Sequence, residues 1–81
     1  MKLKDTVPLM LSEDYKERFK AEYHQLRDRI NNLSAMLEKW DAGTLDFTPT
    51  CPRSTYDMQK RAMADYLAVL EARAVMEGAE L

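Results

Sequence analysis

The residue types that most often carry chemistry are scarce here. The chain has one cysteine, Cys51, and one histidine, His24. A Cys–His nucleophilic pair needs both groups at one place. Cys51 lies in a proline loop, between Pro49 and Pro52, whereas His24 lies in the middle of a long helical pattern. One histidine and one cysteine do not make a structural zinc site. There is no glycine-rich phosphate loop, no paired set of metal ligands and no serine triad. His24 therefore reads as a solvated or half-buried helix residue, and Cys51 as a small buried filler. The sequence predicts no catalytic residues, no metal and no cofactor. It points to binding and not to an enzyme.

The groups suited to binding are arginines and lysines interleaved with aromatics. Tyr15 and Arg18 open the first helical pattern, and Trp40 stands near its end. Arg53, Tyr56, Lys60 and Arg61 follow the proline loop. A guanidinium clamps phosphates and stacks on flat rings, and aromatic faces stack on bases. These seven are the candidate ligand-binding residues. The plainer reading of the same residues is a solvated charged surface over core tyrosines.

The elements that must position them are two long helices. Helix one is predicted over 12–43, with Ser12 as N-cap, Glu13 and Asp14 in its first turn, and Asp14 paired with Arg18. From Phe19 the apolar residues Tyr23, Leu26, Ile30, Leu33, Leu37 and Trp40 follow at alternating spacings of four and three. That is a heptad seam, and a rod of roughly 45 Å that must lay the seam on a partner. Gly43 stops it. Helix two is predicted over 54–78, with a capping box in STYD and Gly78 as its stop. One of its seams, Tyr56, Met63, Leu67, Leu70 and Ala74, suits an antiparallel hairpin with helix one. A second apolar line runs through Met58, Ala62, Val69, Ala72 and Met76. A hairpin cannot bury both, so the second line calls for self-assembly or for cover from the arm, residues 1–11, which carries Leu3, Val7, Leu9, Met10 and Leu11. The loop, 44–53, is longer than a helix–helix turn requires. Leu45 and Phe47 direct it back towards Trp40, as a stiff cap on the core or as the wall of a ligand pocket.

The totals set the frame. At 81 residues there is room for one domain, and a core this small leaves stability marginal without a staple or a partner. Twelve basic and fourteen acidic residues give a net charge of −2, against the basic excess expected of a nucleic-acid binder. No apolar run is long enough for a membrane span. The start, MKLKDTVPLML, is broken by Asp5 and Pro8 and reads as a packing arm, not a secretion signal. The expectation is a cytoplasmic protein with Cys51 reduced.

The stretches YKERFKAEYHQLRDRINNLSAMLEKWDAG, FTPTCP and MQKRAMADYLAVLEARA resemble a family of short helical proteins of phages and prophages, found in crAss-like phages and in prophages of gut bacteria. The resemblance spans about Tyr15 to the end. In size, short arm, long hairpin and second seam, the chain is also similar in architecture to phage sponges. One of these, the anti-CBASS sponge, withholds cyclic oligonucleotides, and an anti-Thoeris relative withholds a cyclic ADP-ribose signal. The resemblance implies a hexameric counter-defence protein in the cytoplasm of an infected host cell, binding a nucleotide-derived second messenger without cleaving it. The fold expected is all-α: an antiparallel helical hairpin with an N-terminal arm, assembling as a homo-oligomer. The alternative is a hairpin that docks a host or phage protein through the second seam. A DNA-binding regulator is disfavoured by the acidic balance.

Overall fold

A computed structural model describes residues 1–81. The chain forms a 3₁₀ turn at Leu3–Thr6, then α1 (Val7–Met10), α2 (Tyr15–Asp41) and α3 (Arg53–Glu77), with no strand. α2 and α3 pack as an antiparallel hairpin, and the whole chain measures 43 × 24 × 18 Å. The seams named from the spacing are the ones that meet. Phe19, Tyr23, Leu26, Leu70 and Ala74 form one buried cluster, with Met63 and Leu67 packed against it. Leu37 is buried towards the loop end, while Ile30, Leu33, Trp40 and Tyr56 are half-buried. Helices of this length hold together through such a face, since propensity alone does not stabilise them.

Both long helices stop at glycine for the same reason. Gly43 and Gly78 have φ of +72° and +68°, a left-handed conformation that a side chain disfavours. The turn lets the next residue reach back: Thr44 N–H donates to the Lys39 carbonyl, and Ala79 N–H to that of Ala74. The helix starts differ from the expectation. Asp14, not Ser12, caps α2, its carboxylate accepting the Lys16 N–H, while Ser12 Oγ accepts the N–H of Asp14. Asp14 is thus committed to the backbone, and Arg18 donates to the Ser12 carbonyl in place of the expected ion pair. α3 has no side-chain cap: Pro52 occupies the N-cap position, and Asp57 binds Arg53 instead of closing a capping box at Ser54.

The arm lies against α2 alone. Thr6 is fully buried, donating to the Leu3 carbonyl and accepting from Gln25 of α2. Ala21, one turn before Gln25 on the same side of α2, is 0 % exposed. The arm makes no contact with α3. Its role as a cover for the second seam is therefore ruled out, and Met58, Val69 and Met76 stand 69 %, 55 % and 81 % exposed. Cys51 is also exposed, not a buried filler. No helix is long and apolar enough to cross a membrane.

The core is only one side chain deep, so its centre should be sensitive and its outside tolerant. Leu70→Ala, at a side chain with no exposure, should cost about 2–5 kcal/mol in urea unfolding. Val75→Ala, at an 85 % exposed position, should stay within about 0.5 kcal/mol of the parent.

Candidate functional site

The seven candidate residues divide between the two ends of the rod. Tyr15 and Trp40 are 25 residues apart on α2, a separation of about 37 Å. Within one chain they cannot touch one small ligand.

At the loop end the structure brings Trp40, Arg53 and Tyr56 together. Trp40 and Tyr56 meet edge to face, with ring centroids 6.0 Å apart. The Arg53 guanidinium lies over the indole at 5.3 Å. It is held there by two carboxylates: Asp41 accepts at 2.5 and 3.2 Å, and Asp57 accepts at 2.9 Å. These bonds hold the Asp41 carboxyl below its ordinary range and raise Arg53 further above its own. The other edge of Trp40 opens on a groove of about 290 Å³, shared with Gly43, Leu45, Phe47, Thr48 and Pro49. The loop therefore folds back on the hairpin end, as Leu45 and Phe47 suggested. Lys60 and Arg61 make no ion pair, and Lys60 is close enough to help depress the Asp41 carboxyl.

The carboxylates change what Arg53 can do. A phosphate would have to displace Asp41 or Asp57 to reach it, so its positive charge is largely spent. What remains is a positioned cation that fixes the plane of Trp40. Charge for an anion would come from Lys60 and Arg61, which are free.

At the open end Tyr15 is a link in a closed network. Its hydroxyl donates to Glu77 at 2.8 Å and accepts from Arg73 at 2.8 Å, while Arg73 also donates to Glu77 at 2.9 Å. The hydrogen bond to Glu77 holds the Tyr15 phenol above its usual range, and Tyr15 and Arg73 hold Glu77 below its own. Arg73 covers the Phe19 ring at 4.9 Å. Arg73 and Glu77 were not among the candidates; they lie 58 and 62 residues from Tyr15 in sequence. Arg18 takes no part in the network. This end resembles a clasp, with its donors and acceptors already matched.

A further groove of about 330 Å³ lies along the flank of α2, lined by Tyr23, His24, Arg27, Asp28 and Asn31 with Met1 and Leu81. Burial holds the His24 imidazole below its ordinary range, and Nε2 faces the Leu81 main-chain oxygen at 3.3 Å. His24 is half-buried and tied to the chain's own tail, far from Cys51.

A family model described as Sequestin matches residues 13–76, which is the hairpin with its loop and without the N-terminal arm. No curated protein and no solved structure matches the chain.

The hold of Asp41 on Arg53 predicts a pH response at Trp40. A carboxyl with a depressed native pKa stabilises the folded arrangement above its unfolded value, and that contribution disappears as pH falls through the native value. Tryptophan fluorescence should change with a midpoint below 3.8, the ordinary aspartate value, and Asp41→Asn should abolish that step.

Proposed function

Because the chain belongs to the Sequestin family, we propose that it is a phage counter-defence protein that sequesters a nucleotide-derived immune second messenger. The messenger class is a cyclic oligonucleotide or a cyclic ADP-ribose derivative, held and not cleaved. The family's description supports sequestration. The observation that carries the ligand class is the loop-end site: an indole fixed between Arg53 and Tyr56 at the mouth of a groove of about 290 Å³. A base stacking on such an indole gains about 1–3 kcal/mol and needs no particular base identity. Lys60 and Arg61, unpaired with carboxylates, take the phosphates. Tyr15 and Arg18, at the other end of the rod, would join only through another subunit. In this reading the working particle is a homo-oligomer, a hexamer if it follows the sponges it resembles, and it acts in the cytoplasm of the infected cell.

A second reading has one observation of its own. The outer line of α3 is exposed along its whole length, as a helix that docks another protein would be. A hairpin of that kind binds its partner without regard to nucleotides.

Thermal denaturation with cyclic di- and trinucleotides and with cyclic ADP-ribose isomers separates the two. A ligand of the right class, at a hundred times its dissociation constant, should add about 2.7 kcal/mol of stability. Denaturing the complex should return that ligand chemically intact. Trp40→Ala should abolish the shift, and Lys60→Ala with Arg61→Ala should weaken it in a salt-dependent way. No shift with any of these ligands would leave the docking reading in possession.

A further inference from the structure

The outer face of α3 carries Met58, Ala62, Asp65, Val69, Ala72 and Met76. The spacings are four, three, four, three and four, so the six residues form one straight seam opposite the buried one. None of them is buried, and the arm, which could have covered them, lies on α2 instead. Read from either end, the seam has nearly the same order of sizes: methionine, alanine, a middle pair, alanine, methionine. The spacing is also the same in both directions. A two-fold interface requires this property, because residue i must meet residue j while j meets i.

We infer that the outer face of α3 pairs with the same face of a second copy of the chain, antiparallel and centred near Leu67. In that register Met58 lies against Met76 of the second copy, Ala62 against Ala72, and Asp65 against Val69. The alanines let the two backbones approach at the quarter points, and the methionines, soft and unbranched, fill the ends. Asp65 selects the direction. A parallel, in-register pair sets Asp65 directly against Asp65 of the second copy, at the centre of an apolar contact. The antiparallel pair displaces the two carboxylates along the axis by about 6 Å. One polar seam residue that penalises the wrong arrangement is a known means of fixing orientation in helix pairs.

The contact is modest in size. From Met58 to Met76 the seam runs about 27 Å, on a helix about 10 Å across. That footprint of roughly 270 Å² per copy is below the size of stable specific interfaces, so the contact is a weak one. The pair is therefore reversible, and its mass depends on concentration. It buries the three large seam side chains of each copy, which a chain with only 8 buried residues leaves in water. Two-fold pairs are also the units from which closed hexamers of dihedral symmetry are built. The inference deepens the homo-oligomer in the proposed function and is independent of which ligand is bound.

Disulfide trapping tests the register. In a Cys51→Ser background, Met58→Cys and Met76→Cys chains are oxidised separately and as a mixture. The mixture should give a cross-linked dimer, and either chain alone should give at most a trace, since each would lie about 27 Å from its own copy. Cross-linking by each chain alone would establish a parallel pair and overturn the inference. An oligomer in light scattering with no cross-link in any sample would overturn it too, while leaving assembly itself standing. A monomer at every concentration, with the seam free for another protein, would overturn both. Val69→Glu, at an exposed position, should reduce the mass to that of one chain at concentrations where the parent is paired. Its helical circular dichroism should be unchanged, separating lost pairing from lost folding.

Discussion

The contact between α2 and α3 is a single row of interlocking side chains, and the rest of the molecule is arranged around it. Phe19, Tyr23 and Leu26 from one helix close over Leu70 and Ala74 from the other. Apart from the arm packed on α2, no second layer stands behind them. A row this thin buries few residues and leaves the molecule a rod of 43 Å. It also fixes the antiparallel register, and with it which surface groups become neighbours.

At each end of the row an arginine covers an aromatic ring and is itself held by carboxylates. Arg53 lies over Trp40 and is bound by Asp41 and Asp57, while Arg73 lies over Phe19 and is bound by Glu77. The two arrangements do different things. At the open end the hydroxyl of Tyr15 completes the network, and the ring beneath Arg73 is core. At the loop end Trp40 is only half-buried, and one edge of it lines a groove. Exposed ion pairs contribute little to stability, so the worth of the loop-end pairs lies in fixing the plane of an accessible indole. This is the basis for reading a binding site there and a closure at the other end.

The same thinness leaves α3 with an apolar outer side. A helix with two apolar seams and one packed neighbour is half-solvated in isolation, and water penalises the uncovered half. Sequestration and assembly are thus physically compatible in this chain. The inner seam builds the hairpin that carries the groove beside Trp40, and the outer seam is left uncovered.

The sequence by itself determined the two helices, the residues of both seams, the glycine stops and the return of the proline loop towards Trp40. These follow from periodicity and from backbone rules that act over a few residues, and the local chain is enough to state them. It also placed Trp40, Arg53 and Tyr56 in one region, because a hairpin must bring the end of its first helix to the start of its second. Only the tertiary structure decided the partners of the charged groups. Arg53 was legible as a cation near Trp40 but not as one already committed to Asp41 and Asp57. Arg73 and Glu77 became partners of Tyr15 only when the register set them across from it. The arm's choice of α2 depended on Thr6 meeting Gln25, and the exposure of Cys51 depended on the path of the loop. Apolar burial is a property of a face, so a repeating pattern reveals it. A hydrogen bond is a property of two atoms within about 3 Å, and no pattern along one strand of sequence specifies which two they will be.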